Sequence, residues 1–144
     1  MRHLYLYITL MFAIFMGAGT GCSDNEFYND LPPEIRNFLA KYYPNTGVES
    51  YTHNAQVYHV KLKSSAGLTF DSEYRWEVVN GYGAALPQVF LYDQLPPALF
   101  DYLQETENLN AVMSAERTPR MYTVALLNDT VTYDIGSGRI TEFY

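Results

Sequence analysis

The chain holds one cysteine, Cys22, and one tryptophan, Trp76, in 144 residues. A lone thiol makes no internal disulfide and no CxxC metal or redox site, so a packed apolar core must stabilise the fold. Bases are also scarce: 9 Lys and Arg stand against 16 Asp and Glu, for a net charge of −7. Such a surface repels phosphate backbones, which argues against nucleic acid as a partner. Chemistry-bearing motifs are missing as well. There is no Gly-x-Ser-x-Gly elbow, no HExxH spacing and no glycine-rich phosphate loop between a strand and a helix. His53 and His59 have no cysteine partner, and Asp134 to Gly138 lacks the ligand spacing of a calcium loop. The sequence therefore predicts no catalytic residue, no metal and no cofactor.

What is present begins at the N-terminus. Arg2 and His3 precede an almost unbroken apolar run from Leu4 to Met16. That length suits a signal peptide and falls short of an ordinary membrane span. Small residues follow from Gly17 to Gly21, then Cys22, then the polar stretch Ser23-Asp24-Asn25-Glu26. The stretch Gly19-Thr20-Gly21-Cys22 resembles a lipobox, although Gly19 stands where leucine is usual. Residues 1–21 are thus expected to be a lipoprotein signal peptide. Cys22 is the expected lipid attachment site, and residues 22–30 an acidic tether. Acyl chains on Cys22 would anchor the chain to a membrane without a spanning helix. The expected location is the cell envelope, at the outer membrane, with the periplasmic or surface face left open.

The remainder carries an internal correspondence. Leu31-Pro32-Pro33 returns as Leu95-Pro96-Pro97, 64 positions on. Tyr58, Val60 and Leu62 match Tyr122, Val124 and Leu126 at the same offset, and Phe70-Asp71 matches Tyr133-Asp134 at an offset of 63. In the first copy Leu31, Ile35, Phe38, Leu39 and Tyr42 mark one helical face. Pro32 and Pro33 suit its first turn, Asp30 is the candidate N-cap, and Pro44 ends it. Tyr58, Val60 and Leu62 alternate with His59, Lys61 and Lys63 as a half-buried strand does. Further strands are expected at 68–71, 76–79 and 140–143, with weaker ones at 48–53 and 112–117. The predicted fold is α+β: two tandem repeats, residues 31–94 and 95–144, each one helix packed on about four antiparallel strands. Because about 60 residues bury little surface alone, the two should share a sheet or pack tightly. Gly81 to Gln88 is the connector, apolar enough to pack down.

These motifs, LPP-x-[IL]-x-x-[FY]-L, Y-x-V-x-L and a strand ending in aromatic-Asp, resemble the PepSY-like lipoproteins of Bacteroidetes. Their fold is similar to that of the beta-lactamase inhibitor proteins. The resemblance covers residues 31–144. It implies an envelope protein that binds something and no known catalytic residues; fold analogy does not by itself establish function.

The 14 tyrosines suit half-buried strands and wet contact surfaces. An antiparallel sheet often leaves one face open, and Tyr51, Tyr74, Trp76 and Tyr82 are the candidates to populate that face or its rim. Trp76 is also a core candidate, because its counterpart Ile140 is apolar. Asp71 and Asp134, at matching strand ends, read as turn formers that bond their own backbone. Asp129-Thr130-Val131 resembles a short Bacteroidetes O-glycosylation motif, with Thr130 as acceptor in an exposed turn. The functional expectation is a non-catalytic binding module for a protein or peptide, inhibitor-like in character. The alternative is a structural or accessory lipoprotein of an envelope complex, and a hydrolase stands behind both.

Overall fold

The computed structural model describes residues 26–144. The expected signal peptide, residues 1–21, and the expected attachment site Cys22 lie outside the described residues. The chain runs α1 (Glu26–Asp30), α2 (Pro33–Tyr42), β1 (Val48–His53), β2 (Val57–Leu62), β3 (Gly67–Asp71) and β4 (Trp76–Asn80). It continues with α3 (Gln88–Gln94), α4 (Pro97–Glu105), a 3-10 turn at Leu109–Ala111, β5 (Ser114–Arg117), β6 (Met121–Ala125), β7 (Thr130–Asp134) and β8 (Ile140–Phe143).

The expected pair of helix-plus-sheet repeats requires correction. The eight strands form one continuous antiparallel sheet in the order β1 to β8, accompanied among the described residues by four short helices. The join is the pairing of β4 with β5, through Val78 with Glu116, Val79 with Ala115 and Asn80 with Ser114. The physical reason is the small size of each half. A four-stranded unit would leave β4 as a bare edge with unpaired backbone groups, and pairing with β5 removes that edge. The buried side chains accordingly form one cluster, running from Leu31 and Ile35 through Phe70, Val79 and Phe90 to Val124 and Val131.

Side-chain alternation assigns the two faces. Val60, Leu68, Val79, Ala115, Val124 and Val131 lie in register across the strands and are all buried. The helices cover this face. Helix α2 contributes Ile35, Leu39 and Tyr42, one stripe at helical spacing, and α4 contributes Leu99 and Leu103. A bulge on β4 adjusts the pattern. Phe70 pairs with Trp76 while the neighbouring Thr69 pairs with Val78, so Glu77 is the extra residue. Trp76 and Val79 both therefore point inward, whereas strict alternation would place Trp76 with Val78.

Helix α3 was not expected from the sequence, and it supplies the centre of the core. Phe90 is fully buried. Its ring lies 5.1 Å from Trp76, 5.6 Å from Tyr42 and 5.9 Å from Phe38, all edge-on. Edge-to-face pairs of this kind each contribute about 0.5–1.5 kcal/mol beyond the area they bury. A polar latch runs beside them. The Trp76 indole donates to the Gln94 side-chain oxygen at 3.0 Å, Gln94 donates to the Tyr42 hydroxyl at 2.7 Å, and Tyr42 donates to Asp93 at 3.1 Å. Lys41 adds an ion pair to Asp93 at 2.9 Å. One polar chain thus ties β4, α3 and α2 together.

Two further expectations shift. Asp30 is not the N-cap of α2. It ends α1, within the stretch expected to be a tether, and Pro32 occupies the cap position without a side-chain cap bond. The proline ring has no acceptor to offer such a bond, and Pro33 at the first turn lacks an N–H that would be unpaired there anyway. The connector does pack down. Gly81 N–H donates to Met113 carbonyl, Leu86 N–H donates to Val112 carbonyl, and Leu86 is buried.

If one core serves both halves, removing its central ring must weaken both together. Phe90→Ala is expected to lower the unfolding free energy by about 3–5 kcal/mol. Urea denaturation should still show a single transition, followed by both far-ultraviolet dichroism and Trp76 fluorescence. Separate transitions for the two signals would contradict a shared core.

Candidate functional site

The face away from the helices carries one complete cross-strand row. Its members are Thr52, His59, Thr69, Val78, Glu116, Thr123, Thr132 and Thr141, one from each strand. A parallel row holds Ser50, Lys61, Gly67, Asn80, Ser114, Ala125, Thr130 and Phe143. None of these side chains is buried, and among the described residues no helix covers them. Threonine serves two purposes here. Its branched Cβ favours the extended backbone, and its hydroxyl tolerates water. The result is a broad surface of neutral hydroxyl and amide groups with few charges.

At the β1–β4 end this surface deepens into a cleft of about 670 Å³, lined by Ser50, Thr52, His59, Thr69, Asn80 and Tyr82 among others. Tyr82 forms its wall. It follows β4 in a turn whose geometry is set by two contacts. Asn80 Oδ1 accepts the Tyr82 N–H at 2.8 Å, and a Cβ on Gly81 would lie 1.9 Å from the Ala84 carbonyl oxygen. Tyr82 itself adopts φ +49°, a left-handed conformation uncommon for a bulky residue. Its ring lies over Gly67, where an added Cβ would approach Cε2 to 2.9 Å. The residue is nonetheless 67% exposed. Beside it, Thr69 Oγ1 and His59 Nδ1 are 3.3 Å apart.

The other three predicted surface aromatics lie elsewhere. Trp76 is buried in the core, as its apolar counterpart suggested. Arg117 closes over it, with the guanidinium carbon 4.6 Å from the ring centroid and Nη2 donating to the Trp76 carbonyl at 2.8 Å. Tyr51 and Tyr74 sit on the helix side, both half-buried. Tyr58 joins them: it stacks with Tyr51 at 6.2 Å and meets Tyr74 at 5.3 Å, and His53 stacks on it at 4.1 Å. A hydrogen bond with Tyr74 is the main cause that raises the Tyr58 hydroxyl above its ordinary pKa. Burial leads the rise at Tyr51. His53 and His59 fall on opposite faces because their strand positions differ by an even number across a turn, Thr52 and not His53 being paired with His59.

The strand-end aspartates hold turns. Asp71 Oδ1 accepts the N–H groups of Glu73 and Arg75 at 2.8 and 2.9 Å, and Oδ2 meets the Arg75 guanidinium at 3.1 Å. Asp134 Oδ1 accepts the N–H and hydroxyl of Ser137. Burial pushes the Asp71 carboxyl up, but these hydrogen bonds outweigh it and hold the pKa below the usual value. The Ser137 bonds do the same for Asp134. Thr130 begins β7 and is half-buried on the hydroxyl face, rather than sitting in an exposed turn. Among the described residues no group of three His, Cys, Asp or Glu side chains is placed to hold a metal ion.

No family model matches the chain, and no curated protein matches it. Solved structures do. One, described as a periplasmic protein of the DUF2874 family from Bacteroides vulgatus, is 24% identical with a TM-score of 0.65, covering 78% of this chain and 89% of that one. Another, described as a calcium-regulated periplasmic protein from Bacteroides thetaiotaomicron, is 20% identical with a TM-score of 0.67, covering 81% and 92%. A third, a periplasmic protein of unknown function from Bacteroides vulgatus, is 24% identical with a TM-score of 0.62, covering 78% and 93%. At these identities the likeness shows a shared fold. None of the three bears the PepSY or inhibitor-like name suggested by the sequence motifs.

The lowered carboxyl pKa values set a pH dependence. A depressed pKa stabilises the fold fully above the unfolded value, about 3.9 for Asp, and that contribution is lost as pH falls through the folded value. The melting-temperature gap between the natural chain and the double variant Asp71→Asn, Asp134→Asn should be widest at neutral pH and close on acidification. A gap that widens toward low pH would contradict these assignments.

Proposed function

We propose that this chain is an envelope-associated lipoprotein, anchored through Cys22, that acts as a non-catalytic binding module for a protein or peptide. One observation carries the reading: a continuous eight-stranded sheet leaves a whole face free of helices among the described residues. At ordinary strand spacing the face measures about 34 Å across and about 15 Å along the strands, room for an extended partner segment. Its side chains are strand-mounted and so held rigidly, which lowers the ordering cost of binding.

The envelope location is supported by the signal-like N-terminus and by three fold neighbours described as periplasmic. The family resemblance adds an inhibitor-like role as one form such binding could take. The expected aromatic patch is absent from the open face, so recognition there relies on hydroxyl groups, water bridges and shape rather than on a cluster of rings. The absence of convergent metal-ligating side chains among the described residues is compatible with a binder.

The test is site-specific photo-crosslinking in intact cells, with the reactive group at Thr123 on the open face or at Gln104 on α4. The reading predicts a discrete crosslinked protein from Thr123 and none from Gln104. It also predicts loss of the chain from the membrane fraction in Cys22→Ser. Crosslinks confined to Gln104 would refute the assigned face. Unchanged fractionation of Cys22→Ser would refute the anchor.

A further inference from the structure

We propose that the cleft walled by Tyr82 binds a neutral saccharide, with the tyrosine ring stacking on a pyranose and the strand hydroxyls bonding its edge. This goes beyond the protein-binding reading and concerns a separate part of the face, the β1–β4 end.

The wall is built with care for the ring's position. Gly81 has no room for a side chain, Asn80 holds the Tyr82 N–H, and the backbone at Tyr82 is left-handed. Non-glycine residues in that conformation tend to mark ligand clamps. This turn displays an aromatic ring that the core does not use: Tyr82 is 67% exposed, while Trp76, at the start of β4, is 3% exposed. Gly67 leaves the row empty at β3, and the ring fills the gap. A flat ring standing over a polar floor offers its π face to C–H groups, which carry partial positive charge.

The floor selects against other ligands. Lys61 is the lysine of the cleft's lining, and Glu49 at 3.5 Å offsets part of its charge, so an anion gains little there. A lipid chain would desolvate the hydroxyls and amide of Ser50, Thr52, Thr69 and Asn80 without replacing their hydrogen bonds, while Val78 gives the floor an apolar part as well. A main-chain strand cannot add over the middle of the floor, because β2 and β3 are paired on both sides; the free edge of β1 lies beside the cleft, in the plane of the sheet. What matches is an uncharged ligand with hydroxyls along its edge and an apolar C–H face. Hydroxyl-bearing side chains on adjacent strands stand about 4.8 Å apart, which lets two or more engage successive hydroxyls of one sugar chain. His59 has one ring nitrogen facing Thr69 and the other left to meet a ligand.

The experiment titrates the full chain, held in amine-oxide micelles that contain no sugar headgroup, with maltohexaose, cellohexaose, chitohexaose and mannohexaose. Amide chemical shifts report the site. The proposal expects saturable binding of at least one hexasaccharide below about 10 mM, with shifts centred on Thr69, Asn80 and Tyr82. Tyr82→Ala should weaken it about tenfold, and Thr69→Val should weaken it as well, whereas Tyr92→Ala, which removes an equally exposed ring on α3, should not. Thermal melts of each variant show that the fold is retained. No binding by any of the four sugars at about 10 mM overturns the proposal. So does binding that survives Tyr82→Ala and Thr69→Val, or shifts centred away from the cleft. None of these outcomes touches the crosslinking result at Thr123, which lies on the far half of the sheet.

Discussion

Three residue pairs hold the molecule to one architecture. Val78 with Glu116, Val79 with Ala115 and Asn80 with Ser114 join β4 to β5 and make one sheet of what would otherwise be two. Everything else depends on that seam. It removes two exposed edges, and it aligns Val79 with Ala115 so that the apolar row continues from Leu68 to Val124 without a break. Beyond the paired stretch the strands part, and Arg117 fills the opening by bonding the Trp76 carbonyl and covering its ring. The side chain thus satisfies a backbone acceptor that the ladder leaves free.

The seam also determines what the surface can do. With one sheet there is one covered side and one open side. Helices α2, α3 and α4 send Leu39, Phe90 and Leu99 to the covered side, and the aromatic rings gather there. The open side carries mostly threonine and serine, with Asn80, His59, Lys61 and Glu116 among them. On that face the hydroxyls are spread out rather than converged. It has good means of contact, because strand-borne groups are fixed in position and spaced regularly. Tyr82 and Phe143 depart from the division, and Tyr82 is a ring brought to the hydroxyl side by a turn rather than by a strand.

Much of this was legible from residue patterns, and the failures are instructive. The stripe Ile35, Leu39 and Tyr42 and the alternation of Tyr58, Val60 and Leu62 are strong periodic signals, and both elements formed where expected. The expected pair of helix-plus-sheet repeats failed because pattern reports which residues want burial, not which strand will supply a partner. Helix α3 escaped notice because it is seven residues long and follows Pro87 inside an apolar connector, too short to show a period. The bulge at Glu77 was equally invisible, since it inverts alternation over a single residue. Tyr51 was misjudged for a like reason: a register shift between Val48 and Ser50 turns it to the helix side, and a side chain's face depends on register. Tyr82 was singled out and does line the open face, whereas its cleft needed Gly67 and Asn80, which carry no signal by themselves.

The central claim is that the β4–β5 seam is as durable as the core it completes. Native-state hydrogen exchange tests it directly. The interior amides of residues 78–80 and 114–116 that bond across the seam should open only with the whole molecule, at the same free energy as the amides of β2 and β3. If the seam amides exchange through a smaller opening while β2 and β3 stay protected, the halves are separate units in contact and the single-sheet account is wrong.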